Sequence, residues 1–369
     1  MKNKLNKIIG VSTVLILGGA FTLNAKAQPM ELLAVDYPQN FDSYTYNGSY
    51  YASISSNLTE GMNGTLRSAL TTLILPKDWY TYSGSKAGTL GLILQSADED
   101  PRNSNNMVLL YTRESIVKQA SSNDAWNREH VWPRSLSHNN WQTAAAGADL
   151  LHIRPTWYST NSARGDKKYA DVNKANPQTY NGITYAYISG NYFEPIDAAK
   201  GDIARILMYV WTAYRDYYHD DNLLITNTIT DYDTLLKWHT MDKPDILEGN
   251  RNNYSENSIQ KNRNPFVDHP EYAWKIFGSE ASKSVTDACK EAYPERTDVT
   301  PTPSSSSAPT ESMTPTTSTP TATSEQSSEV PIPKNNSGIG CSGSILGVAS
   351  MTTLTTLVGM IFVLSKKKK

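Results

Sequence analysis

Cysteine is nearly absent: Cys289 and Cys341 are the only two in 369 residues. So few exclude a disulfide framework as the source of stability, even in an oxidising compartment. A dominant sign of charge is missing too, with 34 Lys and Arg against 36 Asp and Glu and a net charge of −2. That total neither indicates nor excludes a nucleic-acid partner, because polyanions are bound by local basic patches. No internal repeat is visible, which excludes a solenoid. Histidine is scarce, at six, and no pair has the short spacing of a zinc motif.

What is present divides the chain. Lys2, Lys4 and Lys7 precede an apolar run over 8–23, and Ala25-Lys26-Ala27 offers the small residues a signal peptidase accepts, which predicts a signal peptide over 1–27. Residues 297–338 are dominated by Ser, Thr and Pro, which bury too little apolar surface to offset chain entropy, so a disordered stalk is expected. Residues 345–364 are uncharged and mostly apolar, about the length of a transmembrane helix. Four lysines, 366–369, follow within a basic cytoplasmic tail over 365–369. This order predicts an exported body, 28–296, held at the cell surface through a C-terminal membrane helix, or released if Gly340-Cys341-Ser342-Gly343 is a processing site. The body reads as one domain and a monomer, with no protein partner implied.

Within the body, Leu66, Leu70, Leu73 and Ile74 recur at helical spacing, as do Ile203, Ile206, Leu207, Val210, Trp211 and Tyr214. Short apolar runs at 108–111 and 150–155 read as strands, with 131–133 a brief third because Pro133 cannot donate to a ladder. Residues 135–147 read as a loop. Ser159 and Thr160 offer caps to a short helix over 161–169. The predicted class is α+β.

The densest set of reactive side chains lies at Asn127-Arg128-Glu129-His130, with His152 and Arg154 following and then Asn161 and Arg164. From 126 to 175, seven cations (Arg128, Arg134, Arg154, Arg164, Lys167, Lys168, Lys174) accompany four acids (Glu129, Asp149, Asp166, Asp171). Phosphodiester hydrolysis uses such an inventory. An imidazole takes a proton from water near neutral pH, carboxylate and amide oxygens hold a hard divalent cation, and arginine grips phosphate.

Five segments in order, 126–133, 149–155, 161–164, 192–209 and 262–272, make the chain resemble the endonuclease I family of secreted and periplasmic bacterial nucleases, part of the ββα-metal (His-Me finger) superfamily. The resemblance spans about residues 43–274. It implies a ββα-metal core over about 126–173 within a mostly helical domain. It further implies an extracellular endonuclease acting on DNA and/or RNA with little sequence specificity and leaving 5′-phosphate and 3′-hydroxyl ends. His130 is then the general base, and Glu129 and Asn161 bind Mg²⁺, with Mn²⁺ or Ca²⁺ as alternatives. Neighbours on a regular strand point to opposite faces, so Glu129 and His130 share a site only at a strand end. Arg164, one helical turn beyond Asn161, is the expected phosphate contact; no counterpart is found for an additional loop arginine.

The plainer readings differ by residue. His152 fits a hydrogen-bonded core histidine and His138 a solvated loop residue, while a zinc site of His130, His138 and His152 lacks the usual spacing. Lys200, Arg205 and Arg263 are expected either along a nucleic-acid groove or on solvated helix faces. Trp132, Trp141 and Trp157 either stack on bases or, for at least two of them, pack the core. A stalked adhesin or carbohydrate-binding module is the rival function, supported by the signal, stalk and anchor; it would have no use for His130, Glu129 and Asn161 together.

Overall fold

A computed structural model describes residues 40–82, 89–119, 125–137, 141 and 145–296. The expected signal peptide, stalk, membrane span and tail lie outside the described residues, as do His138 and Cys341. Among the described residues no helix is long and apolar enough to cross a membrane. Cys289 is a buried free thiol.

The order begins with helices α1 (Thr65–Ile74) and α2 (Leu90–Ala97), then strands β1 (Glu99–Asp100), β2 (Asn103–Val108) and β3 (Ser115–Val117). Next come β4 (Trp126–His130), β5 (Ile153–Trp157) and α3 (Tyr158–Arg164). Four strands follow, β6 (Lys168–Tyr169), β7 (Pro177–Tyr180), β8 (Ile183–Ser189) and β9 (Tyr192–Pro195). The remaining described elements include the helices α4 (Asp197–Tyr214), α5 (Tyr232–Met241), α6 (Ile246–Asn257), α7 (Pro265–Asp268), α8 (Tyr272–Phe277) and α9 (Lys283–Ala292). The architecture is α+β, with three small sheets among the described residues, ordered β1-β2-β3, β4-β5 and β6-β9-β8-β7. Asn181 and Gly182, both at positive φ (50° and 83°), close the β7–β8 hairpin, as a tight hairpin turn requires.

α4 organises the interior. Its apolar residues are buried on nearly every side, against α1, α5 and α7. Such all-round burial needs a small residue where backbones meet: a Cβ on Gly201 would sit 1.9 Å from the Asp242 carbonyl. Strong caps start the helices packed around it. Asp245 and Glu248 form a reciprocal capping box on α6, Asp231 accepts from Thr234 N–H on α5, and Asn264 caps α7 with Pro265 at its first position.

A second interior layer is ionic. Arg113 pairs with Asp202 at 2.9 Å, Arg154 with Asp98 at 2.8 Å and Asp202 at 3.2 Å, and Arg205 with Glu248 at 2.7 Å. Arg263 pairs with Asp268 at 2.7 Å, and Lys200 with Glu194 at 2.6 Å. Lys200, Arg205 and Arg263 are therefore internal ion-pair partners, neither groove residues nor solvated ones. Buried charge is tolerated because each finds a carboxylate.

Several expected elements shift. β2 ends at Val108, and the apolar residues Leu109, Leu110 and Tyr111 form a buried turn in which Leu109 N–H donates to the Glu114 carbonyl. The expected strands at 131–133 and 150–155 lie at Trp126–His130 and Ile153–Trp157 instead. Pro155 sits inside β5, opposite Arg128, which a two-stranded sheet permits because one side of each strand needs no ladder donor. The short helix begins at Tyr158, three residues early, without a side-chain cap.

Candidate active site

β4, β5 and α3 form a compact unit, with β4 and β5 paired antiparallel from Trp126 opposite Trp157 to His130 opposite Ile153. α3 follows β5 without an intervening residue and packs against both strands. This unit lines an open cleft of about 600 Å³ with Asn127, Arg128, Glu129, His130, Asn161 and Arg164. Tyr82, Arg134 and Asp166 line it as well. The sequence-predicted residues thus meet in one place. Glu129 and His130 share it because β4 ends at His130 and the chain departs from strand geometry there.

His130 is 7 % exposed. Its Nε2 lies 3.1 Å from the Gly147 carbonyl, which only accepts, so Nε2 carries the proton and Nδ1 holds the lone pair. Burial holds its pKa well below the ordinary imidazole range; His152 and the Arg134 and Arg128 cations push the same way against the Gly147 carbonyl. The ring is therefore neutral near pH 7. Gly147 is required by close packing, since a Cβ there would lie 2.2 Å from the Trp141 carbonyl.

Asn161 is oriented by its amide. Nδ2 donates to Asn127 Oδ1 at 2.8 Å and to the Arg128 carbonyl at 3.3 Å. A backbone carbonyl cannot donate, so the amide orientation follows from the geometry and Oδ1 is the atom left for the cleft. Glu129, 2 % exposed, accepts from the Tyr111 hydroxyl at 2.6 Å and faces Arg164 at 3.1 Å, both through Oε1. Burial raises its pKa, opposed by Arg164 and Tyr111. Tyr111 in turn meets the Tyr169 hydroxyl at 2.8 Å.

For a divalent ion this donor set is partial. No group of three or more His, Cys, Asp or Glu side chains is arranged to hold a metal among the described residues. One carboxylate and one amide oxygen on the same cleft suit a hard cation that keeps waters and takes phosphate as a further ligand. The oxygen chemistry fits.

The three cleft arginines are held differently. Arg164 is 1 % exposed; its NH1 donates to the His130 carbonyl at 3.1 Å and its NH2 to the Val131 carbonyl at 2.7 Å. Its guanidinium also lies 4.5 Å above the Tyr169 ring. It is built into the wall beneath Glu129 and His130. Arg128 lies over the Tyr82 ring at 4.2 Å and donates to the Tyr82 carbonyl. Arg134 is half-buried, lines the cleft, and its guanidinium makes no hydrogen bond or ion pair among the described residues.

His152 lies just behind His130. Its Nε2 accepts from Trp132 N–H at 3.0 Å, and its Nδ1 donates to the Ala146 carbonyl at 2.7 Å. With both nitrogens engaged it is unavailable to zinc, as expected of a core histidine. Trp132 and Trp141 are core residues, and the half-buried Trp157 packs on Tyr180 at 5.0 Å. Arg154, one of the seven cations counted above, is wholly internal. Sequence reasoning missed Tyr111, Gly147 and Tyr82, which reach the site through folding; only the small-residue run 144–148 hinted at a close approach.

Three comparisons bear on this geometry. The family described as Endonuclease I matches residues 51–271, a range that includes every cleft residue named above. The chain is 39 % identical over 229 residues to the "Extracellular ribonuclease" of Bacillus amyloliquefaciens, covering 59 % of this chain and 75 % of that protein. It is 40 % identical over 200 residues to the "Extracellular ribonuclease" of Bacillus subtilis (strain 168), covering 50 % of this chain and 66 % of that protein.

Proposed function

The chain belongs to the endonuclease I family, and from that premise we propose that it is an extracellular, metal-dependent endonuclease hydrolysing nucleic-acid phosphodiesters with little sequence preference. The carrying observation is the contact of Nε2 of His130, a residue lining the cleft, with the Gly147 carbonyl at 3.1 Å, which leaves Nδ1 as the nitrogen able to act as base. In this reading Nδ1 takes a proton from water while the water oxygen bonds to phosphorus. The P–O3′ bond breaks and O3′ takes up a proton, giving a 5′-phosphate and a 3′-hydroxyl. Glu129 and Asn161 Oδ1 would hold Mg²⁺, or Mn²⁺ or Ca²⁺ in its stead. Such an ion supplies Lewis-acid stabilisation of charge on phosphate and leaving oxygen.

Arg134 is the better phosphate contact, since Arg164 is engaged by the carbonyls of His130 and Val131. Arg164 then acts by fixing the end of β4. Both relatives' names support RNA as a substrate. A base that acts on water has no need of a 2′-hydroxyl, so DNA is expected to be cut as well. Surface display through 345–364 belongs to the same reading and rests on the order of sequence segments.

The test is incubation of the purified protein with duplex DNA, single-stranded DNA and RNA, with and without chelator, beside His130→Ala. Cleavage of all three is expected, lost with chelator and lowered about 10² to 10⁴-fold in folded His130→Ala. Chelator-resistant cutting, or a variant as active as the parent, would overturn it.

A further inference from the structure

We propose that His152 is a positioning residue that sets the tautomer and rotation of His130 through the turn both histidines share. The inference rests on the reading of His130 as base and extends it. His152 itself is fully buried and touches no substrate.

The argument runs through donors and acceptors. Trp132 N–H can only donate, so His152 Nε2 accepts and Nδ1 carries the proton given to the Ala146 carbonyl. The next carbonyl along the turn, Gly147, takes the Nε2 proton of His130. Consecutive carbonyls of one 3₁₀ turn over Ala145–Ala148 are thus held by two imidazoles in opposite tautomers. The rings meet edge to face at 5.5 Å and 72°.

The turn does not hold this shape by local preference. Ala145 has φ of 48°, unfavourable for a residue with a Cβ, and persists only where the surroundings over-determine it. His152 is one such constraint, and the Trp141 ring braces it edge-on at 5.9 Å and 87°. Because His152 also binds Trp132, two residues beyond His130, it ties the exit of β4 to the turn that holds the base. The opposite tautomer would set N–H against N–H at Trp132 and a lone pair against the Ala146 carbonyl. The turn and the Gly147 carbonyl would then move, freeing the His130 ring to rotate.

The test begins with side-chain ¹⁵N spectra of the full chain without metal. Nδ1–H is expected for His152 and Nε2–H for His130; Nε2–H on His152 overturns the proposal whatever any variant does. In His152→Leu, kcat should fall about 10 to 100-fold, the scale for partners that orient a functional group, with KM and the half-saturating metal concentration unchanged and His130 a tautomer mixture. His152→Gln, one amide offering both a donor and an acceptor, should recover most of the rate and the Nε2–H signature. A folded Leu variant with parental kcat and His130 still Nε2–H would refute it. If the Leu variant fails to fold, a folded Gln variant decides: His130 held as Nε2–H supports the proposal, and a tautomer mixture at parental kcat refutes it. Full activity of His130→Ala would instead sink the base assignment, so the two failures are distinguishable.

Discussion

The cleft and the ionic interior behind α4 are both rich in arginine, yet they hold it in opposite ways. In the interior each of Arg113, Arg154, Arg205 and Arg263 meets a carboxylate. In the cleft Arg128 lies on an aromatic ring, Arg164 is shared between two carbonyls and Glu129, and Arg134 meets no partner among the described residues. Pairing cancels charge; carbonyls and rings leave it in place. A site for a polyanion needs uncancelled cations, and Arg128 and Arg134 supply them on the cleft.

Breaking an interior pair should therefore give the largest effect. Arg205 donates Nε and NH2 to both oxygens of Glu248 at 2.7 Å and NH1 to the Asp242 carbonyl at 2.6 Å. Arg205→Met leaves the buried Glu248 carboxylate without its charge partner and should cost about 3 to 5 kcal/mol of stability by denaturant unfolding. Activity per folded molecule should be retained. An unfolding midpoint equal to the parent's would refute the structural role of the pair.

Acid should act on both regions together, with a loss per histidine of the same order. Burial lowers the pKa of His152 to about 4 and of His239 to about 3. The unfolded chain binds a proton at each below about pH 6.5 and the native state does not, so stability falls as pH drops through that window. Each histidine should contribute a loss of up to about 1.4 kcal/mol per pH unit, ending near pH 4 for His152 and pH 3 for His239. The His239→Phe variant should show a shallower decline between pH 6 and 4, and a parallel curve would remove the assignment.

The smallest effect sharpens the contrast from the cleft side. Arg134→Ala removes a cation with no internal partner among the described residues, so stability should stay within about 0.5 kcal/mol of the parent. Nucleic-acid affinity should fall, and the slope of log K against log salt should drop by about one. An unchanged salt slope would place the phosphate contact elsewhere.

How much of this was legible in the sequence depends on what each feature answers to. The helical spacing of Leu66, Leu70 and Ile74, and of Ile203, Ile206, Leu207 and Val210, gave α1 and α4 because one buried face repeats every turn. β4 lies outside the expected strands because apolar runs mark burial, whereas β4 reads Trp-Asn-Arg-Glu-His and faces partly into a polar cleft. Pro155, the last residue of the expected strand, lies inside a strand that continues to Trp157. The motif assembled His130, Glu129, Asn161 and Arg164 at one cleft, but no local pattern could say that Arg164 would turn inward and Arg134 outward. That choice is made by the carbonyls exposed where β4 ends. Tyr111 reaches Glu129 from a turn eighteen residues upstream, a contact only tertiary folding creates.

The joint between β5 and α3 has no slack. Trp157 ends one and Tyr158 begins the other, so an inserted residue would swing Asn161 by about 100° and shift it by about 1.5 Å along the helix. Its amide would leave Asn127 and the Arg128 carbonyl. At the β7–β8 tip, Asn181 and Gly182 are exposed and line no part of the cleft, and the same insertion would merely lengthen a turn. Chain length is thus rigidly metered at 157–158 and open to growth at 181–182, so divergence within this fold should gather insertions at the second position and exclude them from the first.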